Sequence, residues 1–244
     1  MALITGGSGG LGAAICAGLA AAGFRVLVGY HRSAAAAQTL AAGLAGSGHL
    51  ALAAPVTDSG ALTALAAEIE RRCGRCDVLV NAAGTTRFVA HAELEQLDDE
   101  LFDAIFAVNV RGAFAAVRAL KPLLERSALA GGGVVVNISS IAARTAMGSN
   151  VAYCASKAAL DNMSRSLARA LAPRIRVLSV APGLVDTEFV KSLDQAWRDE
   201  QAARTPLRRL ALPQEVAQAV VAAVTQLTFS TGTVIAVDGG RPLN

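Results

Sequence analysis

The side chains best suited to move a proton are a tyrosine and a lysine, Tyr153 and Lys157, which are four residues apart. On a helix this spacing places both side chains on one face. A free tyrosine, with a reference pKa of about 10, is a poor acid or base at neutral pH, but a nearby cation lowers that pKa. We therefore expect Lys157 to tune Tyr153 for acid–base chemistry. Such a pair found alone is more often a solvated helix face, so the elements around it have to be considered.

A glycine-rich stretch, Thr5-Gly6-Gly7-Ser8-Gly9-Gly10-Leu11-Gly12, separates a short apolar run from a segment rich in alanine and leucine. Glycine lets the backbone turn tightly and come close to a pyrophosphate. A helix opened by such a turn offers free N–H groups and a positive dipole end to phosphates. The alternative is a flexible surface loop, but the strand–turn–helix context favours nucleotide binding.

Short β-branched or apolar runs alternate with long alanine- and leucine-rich segments over the whole chain. Buried strands without polar alternation, joined by helices, indicate a parallel sheet that is covered on both faces. This is an α/β, doubly wound Rossmann-type fold, whose ligand crevice lies at the carboxyl ends of the strands. We find no linker, repeat or low-complexity tract, so we expect one domain over residues 1–244. The predicted strands are residues 2–5, 25–30, 50–54, 78–81, 134–139, 176–181 and 234–237, and the predicted helices are residues 11–22, 34–45, 59–73, 98–127, 151–171 and 213–227.

The composition argues against several other classes of protein. Hydrophobic residues make up 53% of the chain and charged residues 17%, the net charge is +3, and no block of Lys and Arg points to nucleic acid. The chain shows no leader pattern and no apolar run near the ~20 residues of a membrane helix. We expect a soluble cytoplasmic protein that binds neither nucleic acid nor membrane.

The cysteines and histidines could suggest a metal or redox site. Cys73 and Cys76 have the spacing of half a zinc site, but nothing supplies the second ligand pair. His31, His49 and His91 show no ligand spacing either. We interpret the two cysteines as small buried hydrophobic residues and expect no metal. The absence of a framework of spaced cysteine pairs agrees with a reducing compartment.

Taken together, these motifs make the chain similar to the short-chain dehydrogenase/reductase family, and most like its 3-oxoacyl-[acyl-carrier-protein] reductases. No single motif would suffice, but they occur in order over essentially the whole chain. The resemblance implies a seven-stranded parallel sheet in the order 3-2-1-4-5-6-7. The motifs are Thr-Gly-x-x-x-Gly-x-Gly at residues 5–12, Asn-x-Ala-Gly at 81–84, Val-Asn-Val at 108–110, Ser140 thirteen residues before Tyr153, Tyr-x-x-x-Lys at 153–157, Pro-Gly at 182–183 with Thr187, Thr-Gly at 231–232 and Val-Asp-Gly-Gly at 237–240.

The resemblance also implies the roles of the site residues. Tyr153 donates the proton, Lys157 tunes Tyr153 and donates to the nicotinamide ribose, Ser140 holds the substrate oxygen, and Asn109 holds a water in the proton relay. Taken singly, Ser140 would be a strand-end turn residue and Asn109 a partner of neighbouring backbone. The cofactor-binding residues implied are Gly6, Ser8, Gly9, Gly10, Leu11, Gly12, Tyr30, His31, Arg32, Ser33, Val56, Asn81, Ala82, Ala83, Gly84, Tyr153, Lys157, Pro182, Gly183, Val185 and Thr187.

The end of the second strand indicates which nicotinamide cofactor is used. Sheets that prefer NAD place an acid there to bind the ribose 2′-hydroxyl, whereas this chain has Tyr30-His31-Arg32-Ser33. Arg32 can pair with a 2′-phosphate and Ser33 can add a hydrogen bond, which predicts NADP(H). The alternative is that Arg32 is a solvent-facing loop arginine. Many relatives carry Asp-Val after the third strand, where this chain has Pro55-Val56, so we expect the adenine to be held by backbone and packing.

Three functions are compatible with these observations. The first is reduction of a 3-oxoacyl thioester carried on acyl carrier protein, because residues 84–87 resemble those reductases and the segment 182–206 is short enough for an open cleft. The second is an NADP(H) ketoreductase acting on another carbonyl, such as a polyketide, sugar or xenobiotic ketone. The third is a catalytically silent nucleotide-binding scaffold, against which the complete catalytic set argues.

We expect two kinds of protein partner. The resemblance implies a homotetramer, with helices 98–127 and 151–171 paired across one two-fold axis and residues 213–237 across another. Acyl carrier proteins are acidic, and Arg126, Arg169 and Arg174 are the basic residues expected beside the cleft. The alternative is that these arginines only offset the dipoles of helix carboxyl ends.

Overall fold

Seven parallel strands form one sheet in the order β3-β2-β1-β4-β5-β6-β7, which confirms the predicted doubly wound fold. The computed structural model describes residues 1–243, with Phe189 described by its backbone, so Asn244 of the predicted domain lies outside the described residues. The predicted strands agree with the observed ones to within one residue at each end. They are β1 Ala2–Thr5, β2 Val26–Tyr30, β3 Leu50–Ala53, β4 Val78–Asn81, β5 Gly133–Ile138, β6 Ile175–Pro182 and β7 Val234–Val237.

The helices cover both faces of the sheet. The helices α6 and α8 were not predicted, because a four-residue helix is too short to show the helical periodicity of apolar residues. The helix α9 was missed because it is rich in polar residues. The helices are α1 Gly10–Ala21, α2 Ala34–Gly43, α3 Ser59–Cys73, α4 Asp99–Phe106, α5 Ala113–Leu124, α6 Ala142–Thr145, α7 Val151–Leu171, α8 Glu188–Lys191, α9 Gln195–Ala203 and α10 Pro213–Thr225, with 3₁₀ turns at Leu94–Gln96 and Arg241–Leu243.

Two apolar layers explain why the strands show no polar alternation. Successive residues of a strand point to opposite faces, so Leu3 packs in one layer and Ile4 in the other. The first layer lies against α3 and α5, and the second lies against α1 and α10. Because both faces are covered, the functional side chains are left at the carboxyl ends of the strands, where the loops begin.

The predicted helix over residues 98–127 is interrupted in its middle. It begins as α4, capped by Asp98, whose Oδ1 accepts the N–H of Leu101 over 2.7 Å. A π-helical segment, Ala107–Gly112, then separates α4 from α5. The apolar pattern continues through this segment, which is why the sequence predicted a single helix. Segments of this type often occur at functional sites, and this one carries Asn109.

Candidate active site

A row of buried polar side chains crosses the carboxyl ends of the four central strands. Thr5, Asn81, Asn137 and Ser179 lie opposite one another in register on β1, β4, β5 and β6. The amide of Asn81 donates to Oδ1 of Asn137 over 2.8 Å, and the amide of Asn137 donates to Oγ of Ser164 over 2.8 Å. Ser179 donates to the same Ser164 oxygen over 3.0 Å. These bonds fix the register of the strand ends from which the loops of the site begin.

The glycine-rich turn packs directly against the turn that follows β4. Gly6 has a φ of +65°, and a Cβ at this position would lie 2.8 Å from Cα of Ala83. A Cβ on Gly12 would collide with the carbonyl oxygen of Gly6. Only glycine fits both positions, so the tight turn predicted from the sequence is present. Ser8 and Leu11, also predicted to bind the cofactor, are half-buried on the same turn.

The first turn of α1 is open to an anion. The first N–H groups of a helix have no partner within the helix, and no side chain at the capping position Gly9 binds them here. A Cβ on Gly10 would lie 3.6 Å from Cβ of Thr187, which brings the loop after β6 over this turn. On that loop, Pro182 ends β6, and a Cβ on Gly183 would lie 3.1 Å from Cα of Asp238. Exposed donors facing a crevice suit a pyrophosphate.

Lys157 is buried under the crevice with its ammonium held by backbone. Its Nζ donates to the carbonyl oxygen of Ile138 over 2.8 Å and lies 5.6 Å from the ring centroid of Tyr153. Burial lowers the pKa of Lys157 to about 8, although the nearby Asp161 acts in the opposite direction. One of its three donors is used, so two remain for other groups in the site.

The pKa of Tyr153 differs from the sequence-based expectation. Burial raises the pKa of Tyr153 above its usual value, and a hydrogen bond with the Ser140 side chain only partly offsets that effect. The net shift is therefore upward, not downward as expected from a neighbouring cation, because desolvation of the phenolate outweighs the effects that lower the pKa.

Asn109 is placed by the π segment so that its side chain meets the loop after β4. Its Nδ2 donates to the carbonyl of Thr85 over 3.1 Å and to Oγ of Ser156 over 3.1 Å, and its Oδ1 accepts the N–H of Thr85 over 2.9 Å. A Cβ on Gly84 would lie 3.5 Å from Asn109 Oδ1 and 3.8 Å from Lys157 Nζ. The structure thus brings Gly84, Asn109 and Lys157 together, as the sequence predicted.

Two serines follow β5. Ser140 is half-buried, and its Oγ accepts the N–H of Ala142 over 3.1 Å, which holds the hydroxyl at the start of the loop facing Tyr153. Ser139 is 3% exposed, and its Oγ has no partner among the described residues. The Ser140 side chain forms a hydrogen bond with Tyr153, so Ser140 is the serine beside the tyrosine, as its spacing from Tyr153 predicted.

The end of β2 shows the chemistry expected of an NADP site. Tyr30 is half-buried, and His31, Arg32 and Ser33 are exposed. Within residues 1–243, the side chain of Arg32 forms no ion pair or hydrogen bond, so its guanidinium is available to a phosphate. Val56, in contrast, is 7% exposed and packs against Gly112 of the π segment. Of the remaining predicted residues, Ala82 and Ala83 lie beside the glycine turn, and Val185 is buried where it bridges Ala211.

The predicted carrier-binding arginines are not beside the cleft of their own chain. Arg126 lies between α5 and β5, and Arg174 immediately precedes β6, so both are at the amino ends of the strands. Arg169 is in the last turn of α7 at the same end. Arg126 is paired with Glu70 over 2.7 Å. In parallel strands the amino and carboxyl ends lie at opposite edges, so these arginines are remote from Tyr153 of the same chain.

Two buried residues of the site were missed from the sequence. Asn150 is 1% exposed and caps α7, and its position directly before the predicted helix was a signal that could have found it. Asp161 is 4% exposed, and its Oδ1 has no hydrogen-bond partner in the described part of the chain. Its spacing of four residues from Lys157 on one helix was the corresponding signal.

The cysteines agree only in part with the interpretation that Cys73 and Cys76 are buried hydrophobic residues. The four cysteines are free, and Cys16, Cys76 and Cys154 are buried, whereas Cys73 is half-buried. Burial raises the pKa of Cys76 to about 12, which makes its thiol inert. Among residues 1–243 no cluster of histidine, cysteine and carboxylate side chains could hold a metal, and none of the described helices is long and apolar enough to cross a bilayer.

Comparison with known proteins places this fold and site in a family. A protein-family profile described as enoyl-(acyl carrier protein) reductase matches residues 6–241. The chain is 38% identical to a Streptomyces violaceoruber protein named as ketoacyl reductase 2 of the granaticin polyketide synthase, over 100% of this chain and 96% of that protein. It is 36% identical to the D-threitol dehydrogenase of Mycolicibacterium smegmatis, over 98% of this chain and 92% of the relative.

Comparison with solved structures supports the same family. The RhlG/NADP active-site complex of Pseudomonas aeruginosa superimposes with a TM-score of 0.90 at 35% identity, covering 99% of this chain and 95% of that one. The doubly wound sheet, the glycine turn and the Tyr153–Lys157 pair define a nucleotide-dependent oxidoreductase. The chain belongs to the short-chain dehydrogenase/reductase family, and it acts on the CH–OH or carbonyl group of its substrate.

Proposed function

We propose that this protein reduces a ketone to a secondary alcohol with NADPH, and that the ketone is a 3-oxoacyl group carried on acyl carrier protein. The observation that carries the proposal is the geometry around Tyr153. Its hydroxyl forms a hydrogen bond with the Ser140 side chain, and Nζ of the buried Lys157 lies 5.6 Å from its ring centroid. A protonated phenol at this position can donate a proton to a carbonyl oxygen, which is what reduction requires of the protein.

The residues at the strand ends fit a nicotinamide dinucleotide phosphate. The turn between Gly6 and Gly12 admits a pyrophosphate against backbone, and the uncapped first turn of α1 supplies donors to it. The exposed Arg32 supports a 2′-phosphate, and the related RhlG structure contains NADP. When bound, the cofactor supplies the hydride.

The four catalytic side chains have separate proposed roles in orienting the substrate and moving the proton. Ser140 and Tyr153 hold the carbonyl oxygen, and Tyr153 gives it a proton. Lys157 uses one donor on Ile138 and keeps two for the nicotinamide ribose and for Tyr153. The Oδ1 of Asn109 accepts one backbone hydrogen bond and retains a lone pair for a water that resupplies the proton.

The relatives support two kinds of substrate. The granaticin relative is named as a ketoacyl reductase, and the matching family profile carries an acyl-carrier-protein description, which favours the 3-oxoacyl thioester. The similarity to D-threitol dehydrogenase favours a second candidate, the interconversion of a small polyol and its ketone. Both candidates use the same catalytic residues.

One experiment separates these candidates. Wild-type protein is mixed with NADPH and either a short acetoacetyl thioester or a small ketose, and the cofactor absorbance is followed, with Tyr153→Phe as the control. We expect turnover of the thioester that the control lacks. Turnover of the ketose alone would support the second candidate. Cofactor binding without turnover of any ketone would indicate a silent scaffold.

We also propose a homotetramer. Phe102 and Phe106 stack with ring centroids 5.0 Å apart, and Phe102 and Phe114 remain 39% and 40% exposed. Phe106, Val110, Phe114 and Met163 line an open apolar groove of about 540 Å³. The same face includes the helices expected to pair across one two-fold axis, and α10 with β7 is proposed for the other. Sedimentation showing a monomer at micromolar concentration would contradict this.

The acyl carrier protein remains a proposed partner. Arg126 and Arg174 lie at the amino ends of the strands, so they can contact a carrier only at the cleft of a second copy. Rim charges mainly set association rate and salt dependence. The double variant Arg126→Glu with Arg174→Glu should raise the KM for carrier-bound substrate at low salt and leave a free thioester unaffected. Equal loss with both substrates would show that the arginines are structural.

A further inference from the structure

Asn150 lies directly before α7 and caps the helix that carries Tyr153. Its side chain is 1% exposed, and its Oδ1 accepts the backbone N–H of Tyr153 over 2.7 Å. The N–H of a first-turn residue has no partner within the helix, so this cap fixes the backbone of the catalytic tyrosine itself.

The other half of the same amide binds the loop after β4. Its Nδ2 donates to the carbonyl oxygen of Arg87 over 2.7 Å and to Oγ1 of Thr86 over 3.2 Å. Both donors and the acceptor of this buried amide are therefore used, and they join two segments that are more than sixty residues apart in sequence. A buried amide whose donors and acceptor are all hydrogen-bonded is held in one orientation.

The loop bound by Asn150 also holds Asn109. Thr85, the residue before Thr86, exchanges two backbone hydrogen bonds with the Asn109 side chain, of 2.9 and 3.1 Å. A continuous chain of short contacts thus runs from the Tyr153 backbone through Asn150 to the loop, and from the loop to Asn109. Ser149 adds a second link between the same two segments, because its carbonyl accepts the N–H of Val89 over 2.8 Å.

We propose that Asn150 is a positioning residue that holds Tyr153 and Asn109 at a fixed separation across the cleft. It does not touch the reacting atoms but acts through the first turn of α7 and through Thr85 and Thr86. This role rests on the proposed reductase function. It predicts that loss of the amide donors lowers kcat and leaves cofactor binding unchanged, since Asn150 contacts neither the glycine turn nor Arg32.

The substitution Asn150→Ser separates the two halves of the amide. Serine retains an oxygen that can cap the helix, but its short hydroxyl cannot also donate to Arg87 and Thr86. Asn150→Asp retains the cap and the shape and removes both donors. We expect each variant to lower kcat by about tenfold or more, which corresponds to about 1.4 kcal/mol, with less than a twofold change in the Kd for NADPH. Wild-type kcat in both variants would overturn the proposal.

A matched control shows whether the effect is only that of a helix cap. Asp58 caps α3 by accepting the N–H of Ala61 over 2.9 Å, and none of its hydrogen bonds reaches α7 or the loop after β4. Asp58→Ala should lower thermal stability slightly and leave kcat unchanged. If this control lowers kcat as much as Asn150→Ser does, Asn150 acts through general stability and the positioning role is wrong.

Hydrogen exchange of residues 84–91 provides a readout that does not depend on turnover. We expect these amides to exchange faster in Asn150→Ser than in the wild type, while the protein remains folded by circular dichroism. Unchanged exchange would overturn the proposed tie between helix and loop. If the wild type reduces no ketone, the reductase function fails and the catalytic role of Asn150 with it, whereas exchange still decides whether the tie exists.

Discussion

The ammonium of Lys157 donates a hydrogen bond of 2.8 Å to the carbonyl oxygen of Ile138, the last residue of β5. This bond anchors α7 to the central sheet one turn after Tyr153. Because burial already brings the pKa of Lys157 to about 8, the charge on this lysine is sensitive to its surroundings near neutral pH.

NADPH should bind more tightly than NADH, because Arg32 is exposed and no carboxylate ends β2. Losing a charged hydrogen-bonding partner typically costs about 1.5–3 kcal/mol, or roughly 10- to 150-fold in affinity. Arg32→Ala should therefore weaken NADPH binding by that factor and leave NADH unchanged, as measured by titration. Arg71→Ala, on an exposed arginine at the end of α3, is the control. Equal affinities of the wild type for both cofactors would show that the assignment is wrong.

Tyr153→Phe should abolish turnover and leave folding and cofactor affinity nearly intact, since only one hydroxyl is removed. Lys157→Ala should reduce cofactor binding as well, because the ammonium is expected to donate to the ribose. Steady-state rates and cofactor titrations distinguish the two variants. Substantial turnover by Tyr153→Phe would mean that another group donates the proton.

Cofactor affinity should fall as the pH rises through about 8, the pKa of Lys157. Below that pH the lysine is a charged donor, and above it the charge is lost, so NADPH binding should be up to about tenfold weaker at pH 9. Asp161 raises the pKa of Lys157, so Asp161→Asn should move the midpoint to lower pH. Titrations between pH 6.5 and 9.5 measure this. A midpoint unchanged by Asp161→Asn would exclude coupling between the two residues.

Arg176 should be a major contributor to stability. This buried arginine of β6 donates to carbonyl oxygens at the carboxyl end of α10, and its removal would leave them unpaired. We expect Arg176→Ala to lower the free energy of unfolding by about 3 kcal/mol, and the Tm by roughly 6–12 °C. The exposed neighbour Arg174→Ala should change the Tm little in the same melting experiment. The acceptors are the carbonyls of Ala223, Val224, Leu227 and Ser230.

The sheet and most of the site could be predicted because their signals are local. Unbroken apolar runs identify strands that are buried on both faces, and the glycine turn and the Tyr153–Lys157 spacing identify the crevice. The π segment was not predicted, since a single extra residue in a helical turn leaves the apolar pattern continuous. Asn109 was nevertheless found through the motif that contains it.

The errors arise where tertiary placement decides the outcome. The direction of the Tyr153 pKa depends on how much water the fold removes from the phenol, and residue spacing does not give that. Arg126 and Arg174 follow helices whose carboxyl ends lie away from the cleft, which only the direction of the parallel strands shows. The two hydrogen bonds of Asn150 to Thr86 and Arg87 join distant segments and carry no local pattern.

The Asn81–Asn137 pair has a consequence for how this sequence can evolve. Replacing either residue alone with an apolar one leaves the buried amide of the other without its partner, at a cost of about 1–3 kcal/mol, and a compensating double replacement must also satisfy Ser164, which accepts from Asn137. The two positions are therefore expected to be inherited as a unit. A chimera that joins β4 of this protein to β5 of a distant relative will fold well only if the relative supplies an asparagine, or a group of the same hydrogen-bonding capacity, opposite Asn81.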